Sequence, residues 1–366
     1  MSRLDTSDPN FGFQLGPRVA GSPSSRACAE ALAEAFSIPG VEVHTEALNY
    51  LGWSEVRTEL SVSGVEYRSR PATWTLPTAA DGIRGRLRSL GTVTILAGLF
   101  EAPAFAVLDD EEELARIYVN PYGAPAAVLP TGRGPSLTGC SVWVSTDDGR
   151  ALATMQGADV TLGVGDGIGP LHDVNVIAEI RGETDEVVIA CAHYDAAAGA
   201  PGVIDNGAGI SWLGRLLIEA AGSVRLRRTL RVCAFAAEEI GLIGARHHAQ
   251  RAVLAGTKIA AVVNVDAIGA ASALDLQVTP ELDGVIEQLS APLDELHDVT
   301  RRGPGPGSDH MAFHEQGVPV IAVVGPPSYP TYHQVEEDLD AIDRDRLRLA
   351  ERVATDIALS LVDADG

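Results

Sequence analysis

The sequence predicts an α/β fold, a mostly parallel central sheet flanked by helices, with a small β-rich domain inserted near its start. Three observations predict it. Several apolar runs lack the alternation of a half-exposed strand: Val187 to Ala192, Leu230 to Ala237 apart from Arg231, and Ile259 to Val265 with its one Asn264. Strands covered by helices on both faces read this way. Stretches with helical apolar spacing lie between those runs. Residues 52 to 165 have a different texture, short β-rich runs broken by Pro, Gly and acidic clusters, which marks a separate unit.

Taken in order, Gly21-Ser22-Pro23 reads as a helix start, with Ser22 as N-cap and Pro23 at the first helical position. Cys28, Leu32, Ala35 and Phe36 then share one face, so a helix is expected near 23–36. Within the insert, Glu59 to Val62, Thr92 to Leu96 and Phe105 to Leu108 read as strands. Gly163 to Gly169 alternates glycines without the spacing of a nucleotide loop, and reads as a linker back to the larger unit. Helices are expected at Ile210 to Ala221 and Leu242 to Val253, a strand at Val318 to Val324, and a last helix from about Asp343 to Leu361. The chain therefore divides into 1–51 and 166–366, one large unit, and 52–165, the insert. Its 366 residues suffice for both.

A formal charge of -23 excludes nucleic acid as a partner, since phosphates demand a basic face. No stretch approaches the roughly 18 apolar residues of a membrane span, and Met1 to Asn10 lacks the pattern of an export signal. Cys28, Cys140, Cys191 and Cys233 are widely spaced, with no Cys-x-x-Cys pair. A reduced, cytoplasmic setting is the expectation.

The polar residues at the strand ends carry the chemistry. His193 and Asp195 follow one apolar run, Glu238 and Glu239 the next, Asp266 the third, and His333 lies in the loop after the fourth. In an open α/β sheet, ligands bind outside the carboxyl ends of the strands, so these residues converge on one edge. Asp205 lies in a glycine-rich loop before a helix, where a tight turn can aim its carboxylate at the same crevice. Singly, each has a duller role as a cap or surface residue; together they form a metal-type set of His, Asp and Glu donors. Asp205, Glu239 and Asp266 as ligands, with two neutral imidazoles, bring three negative charges and two Zn2+ bring four positive ones, so one hydroxide makes a two-metal site neutral. A single zinc leaves surplus ligands. The same donors accept Mn2+ or Co2+.

These residues also carry a resemblance. Ala192 to Asp195, Gly202 to Gly209, Phe235 to Arg246, Asn264 to Gly269, Gly307 to His310 and Tyr332-His333 resemble, in order, the signatures of the co-catalytic zinc aminopeptidase family. That family includes bacterial leucyl aminopeptidase, aminopeptidase Y and glutamate carboxypeptidase II. Gly16 to Gly21 looks like its N-terminal start. The resemblance implies the phosphorylase/hydrolase-like fold of zinc exopeptidases and two zinc ions, bridged by Asp205. His333 and Glu239 would complete one site, and His193 and Asp266 the other. It further implies that Asp195 orients His193 and that Glu238 is the general base. Residues 52–165 fall where many relatives carry a protease-associated domain; holding none of the ligands, the insert is expected to shape access to the site. The expected substrate is a peptide or small amide.

Other signals carry less. His310 and His314 have the i, i+4 spacing of helical zinc ligands but lack the Glu beside the first His. His247 and His248 are expected on a solvated helix face, and Ser211 misses the nucleophile-elbow pattern by one residue. Hydrolysis of an N-terminal peptide bond is the leading reading. Carboxypeptidase or dipeptidase action, a one-zinc glutaminyl cyclase and a non-catalytic receptor-like relative are the alternatives.

Overall fold

The helix-start signal at Ser22 becomes a capped helix. In the computed structural model, which describes residues 11–363 apart from 96–97, 99, 127, 129–138, 223–225, 271–272, 289–298 and 326–329, a helix spans Pro23–Phe36. Ser22 Oγ accepts from the Ser25 backbone N–H at 3.0 Å, a bond whose loss costs about 0.5–2 kcal/mol in comparable helices. Cys28, Leu32 and Phe36 are fully buried, so the face with helical spacing is the one that packs.

The central sheet has eight strands, numbered in chain order, in the sequence β1 (Glu42–Trp53), β10 (Ile168–Ile180), β12 (Thr229–Phe235), β11 (Glu186–His193), β13 (Lys258–Asp266), β16 (Val320–Val324), β14 (Leu274–Val278) and β15 (Val299–Arg302). The four central strands, β12, β11, β13 and β16, run parallel. Both of their faces are covered. Val188, Ala190 and Ala192 join one core with Leu213, Leu217 and Val353, from the helices Gly209–Ala221 and Arg344–Asp363. Val187, Ile189 and Cys191 face Ala245, Ala249 and Phe313, from the helices Ile243–Leu254 and His310–His314. The expectation of a mostly parallel sheet thus holds at its centre, while β1, β10 and β14 join antiparallel. β1 is an edge strand with mostly exposed or half-buried residues, so it has no continuous apolar run to announce it.

A second eight-stranded sheet runs β3 (Val65–Tyr67), β2 (Thr58–Val62), β9 (Asp159–Val164), β5 (Ile83–Ile95), β6 (Phe100–Asp109), β7 (Glu112–Val119), β8 (Ser141–Val144) and β4 (Ser69–Pro71). It is strung between β1 and β10, whose ladder closes with Trp53 opposite Ile168. The three runs read as strands fall on β2, β5 and β6; Leu96, at the end of one, lies outside the described residues. One face has its own core of Leu60, Val107, Ile117, Val142 and Leu162. The other face sends Ala104 and Trp143 into the main core, joined by Ala72 and Trp74 from the turn that follows β4.

One expectation is corrected. His248 is buried, at 3% exposure, and not on a solvated face. Its Nδ1 lies 2.9 Å from Glu46 Oε2, and its ring packs against Phe235 and Phe313. Glu46 belongs to β1, so the carboxylate that makes an inward histidine tolerable came from a strand the sequence pattern did not mark. Among the described residues, no helix is long and apolar enough to cross a membrane.

Candidate metal centre

Parallel strands deliver their ends to one edge, and the candidate ligands follow from that. His193 and Asp266 are the last residues of β11 and β13. Glu238 and Glu239 leave β12 through a loop with two unusual backbone turns, Ala237 at φ +57° and Leu242 at φ +60°. Positive φ at such residues costs free energy and persists where surrounding bonds over-determine it. Here the N–H groups of Gly241 and Leu242 both donate to the Glu238 carbonyl, at 2.8 and 2.9 Å.

Asp205 enters from the turn Val203–Ala208, just before the helix that starts at Gly209. A Cβ on Gly209 would lie 2.4 Å from Asn206 Oδ1 and 2.8 Å from the Ala192 Cβ. Only glycine lets the helix start come this close to β11, and that approach carries Asp205 to the sheet edge.

The side chains form two trios that share Asp205. In the first, His193 Nε2 lies 3.0 Å from Asp205 Oδ1 and 3.2 Å from Asp266 Oδ1. In the second, His333 Nε2 lies 3.4 Å from Asp205 Oδ2 and 3.2 Å from Glu239 Oε2. Within each trio the ligand atoms all lie within 4.8 Å of one another. Glu238 belongs to neither trio; its Oε2 stands 4.0 Å from His193 Nε2, facing the same cleft. The two adjacent glutamates are therefore placed differently.

The donor set fits divalent cations. Glu239 Oε1 and His333 Nδ1 are buried without a hydrogen-bond partner, and His333 Nε2, within 3.4 Å of two carboxylates, makes no well-aligned hydrogen bond to either; such orphans are costly unless something else satisfies them. A cation in the second trio would satisfy His333 Nε2, the ring nitrogen that faces Asp205 and Glu239. Burial alone would lower the histidines, but Asp266 and Glu238 push His193 well up, and Glu239 and Asp205 push His333 up to about 10. Burial raises Glu238, Glu239 and Asp266. Carboxylate and imidazole donors at such spacing suit zinc.

Asp195 does more than contact His193. Its backbone carbonyl is 3.1 Å from His193 Nδ1 and its carboxylate 3.7 Å away, while that carboxylate accepts from the backbone N–H groups of Glu238 and Glu239 at 3.0 and 3.2 Å. One side chain thus ties the His193 strand end to the glutamate loop.

Three residues behind the trios carried no role in the sequence reading. The buried Arg18 guanidinium donates to the carbonyls of Tyr194, Gly16, Pro201 and Gly202, pinning the segment that leads to Asp205. Glu337 Oε1 accepts from the N–H groups of Ile204 and Asp205, at 2.9 and 2.6 Å. Asp309 is buried with neither oxygen hydrogen-bonded. Arg18 and Asp309 lie inside quoted motifs, whereas Glu337 stands four residues after His333 with no signal of its own. His310, set aside as a ligand, lies in neither trio; its Nε2 is 3.1 Å from both Gln277 Oε1 and the Gly305 carbonyl.

Comparison with known proteins places the chain. The profile of Peptidase family M28 matches residues 175–358, which hold every residue of the two trios. The chain belongs to peptidase family M28. Over 372 residues it is 25% identical to aminopeptidase YwaD of Bacillus subtilis, covering 93% of this chain and 80% of that one. Its fold is similar to that of BSAP, a zinc aminopeptidase from Bacillus subtilis, at TM-score 0.74 and 22% identity over 97% of this chain and 94% of that one. It is likewise similar to an M28 peptidase precursor from Shewanella amazonensis, at TM-score 0.77 and 20% identity over 100% of this chain and 94% of that one. The likeness to both structures takes in the second sheet as well as the M28 region.

In this M28 peptidase, Asp205, Glu238, Glu239 and Asp266 line a cleft together with Asp275, Gln277, Arg302 and Tyr332. β14 and β15 supply Asp275, Gln277 and Arg302, so the antiparallel margin of the sheet forms one wall of the cleft.

Proposed function

We propose that this chain is an aminopeptidase holding two zinc ions, with His193, Asp205 and Asp266 around one and Asp205, Glu239 and His333 around the other. The observation that carries this reading is the pair of buried trios sharing one carboxylate, with Glu238 free beside them. Aminopeptidase polarity is supported by the named relative YwaD, which matches along nearly the whole chain. The substrate is a peptide with a free N-terminus. The four cysteines are buried and unpaired, which supports a reduced, cytoplasmic setting.

Zinc held by His193, Asp205 and Asp266 and by Asp205, Glu239 and His333 would supply Lewis-acid chemistry, polarising the scissile carbonyl and acidifying the attacking water. Glu238 takes the proton from that water and returns it to the departing amine. Its carboxylate faces the cleft 4.0 Å from His193 Nε2 without joining either trio, a placement that suits a group that must both accept and release a proton. Asp195 holds the backbone of Glu238 and Glu239 so that one side chain faces the reacting atoms and the other a metal. Arg18 and Glu337 fix the turn that aims Asp205. The 52–165 insert is proposed as a domain that borders the approach to the site.

Three versions of one short peptide test the reading: free, N-acetylated and C-amidated. With zinc supplied, the free and C-amidated peptides are expected to lose their first residue and the N-acetylated one to stay intact. Release of the last residue from the N-acetylated peptide would establish carboxypeptidase polarity instead. Cyclisation of an N-terminal Gln with loss of ammonia, and no hydrolysis, would establish a cyclase.

A further inference from the structure

The second sheet holds no candidate ligand, yet a side chain from the turn that follows its strand β4 reaches the loop that carries the two glutamates. Trp74 is 3% exposed, and its indole Nε1–H donates to the carbonyl of Ile240 at 2.7 Å. Ile240 directly follows Glu239. It is itself buried and packs in the same core as Trp74, Ala72 and Trp143.

The bond stands out for what each end needs. Trp74 sits at φ +65°, a conformation costly for a bulky residue, in a segment that Val128 and Ser141 hold by backbone bonds through Thr73 and Ala72. At the other end, the loop from Ala237 to Leu242 carries its own two left-handed turns. Asp195 holds the start of that loop through the N–H groups of Glu238 and Glu239. Its far side is held by Trp74. Two anchors, one from each sheet, therefore bracket the glutamates.

We infer that Trp74 is a positioning residue for Glu238 and Glu239, so that the 52–165 insert helps to set the metal centre as well as bordering it. This rests on the reading of the site given above. Displacing a catalytic group by about 1 Å can cost of order 10²-fold in rate, and the Ile240 carbonyl belongs to the residue that directly follows Glu239.

The test uses the full chain with Trp74→Phe, which removes the donor and keeps most of the ring. Trp143→Phe is the control: Trp143 is fully buried in the same core, and its Nε1 donates at 3.3 Å to the Val128 carbonyl, which also accepts from the Thr73 N–H, so the change removes an indole donor beside Trp74 and leaves the Trp74 bond to Ile240 in place. Metal-free proteins are titrated with Zn2+ by calorimetry and with Co2+ by visible absorption, and peptide hydrolysis is measured with zinc restored. Trp74→Phe is expected to weaken one of two metal sites by about tenfold, alter the Co2+ spectrum, and lower kcat by about tenfold with KM near wild type. Trp143→Phe is expected to match wild type in all three. Equal behaviour of the two variants overturns the inference.

A measurement on the wild-type chain covers the case in which Trp74→Phe does not fold. Its Trp74 indole N–H resonance is expected to shift as zinc is added and that of Trp143 to stay in place; a stationary Trp74 signal overturns the inference. Wild-type protein that takes up no zinc overturns the reading of the site together with it.

Discussion

Glu238→Gln is expected to lower kcat by about 10²- to 10⁴-fold, the range that general acid–base work supplies, while zinc content and KM stay near wild type. Consecutive residues leaving a strand point in different directions, and the structure places Glu239 Oε2 at 3.2 Å from His333 Nε2, while Glu238 joins neither trio. Gln keeps the size of the side chain and removes its basicity. A loss confined to kcat marks an interaction made in the transition state and not in substrate binding. Glu239→Gln is expected to weaken one metal site instead. Near-normal turnover of Glu238→Gln, or a loss of zinc equal to that of Glu239→Gln, would reverse the roles of the two glutamates.

Asp205→Asn is expected to cost more metal than a change at any other single ligand, because one carboxylate serves both trios. Its Oδ1 faces His193 and its Oδ2 faces His333, and the amide cannot present two anionic oxygens. The two histidines hold the Asp205 carboxyl well below its usual range despite burial. The variant also loses the charge that those imidazoles share. Elemental analysis is expected to show both ions depleted in Asp205→Asn and only one in Glu239→Gln or Asp266→Asn. Retention of one full equivalent by Asp205→Asn would mean that it does not bridge.

The parts of this molecule legible in its sequence share a physical cause. β11, β12 and β13 are buried on both faces, so each wrote a run of apolar residues, and the chemistry stands out where each run breaks into polar residues. Ser22-Pro23 carries its meaning locally, as a cap and a first helical position. What was not legible depends on distant partners. β1, β14 and β15 are margin strands without a two-faced apolar run, and with β14 and β15 went the cleft wall of Asp275, Gln277 and Arg302. His248 faces inward because Glu46 meets it across 202 residues of sequence. Trp74 contacts Ile240 across 166 residues, and nothing in its own neighbourhood announces that. Asp195 was assigned to His193 alone, since its bonds to the backbone of Glu238 and Glu239 appear only when β11 and β12 lie side by side.

The central claim is a pair of metal sites joined by Asp205, and the count of zinc ions needed for activity tests it most directly. Metal-free protein is titrated with Zn2+ while hydrolysis of an unblocked peptide is followed alongside bound metal. Two equivalents taken up per chain, with full activity reached only at the second, is the result the geometry predicts. Full activity at a single tightly bound equivalent, with no second ion taken up, would contradict it.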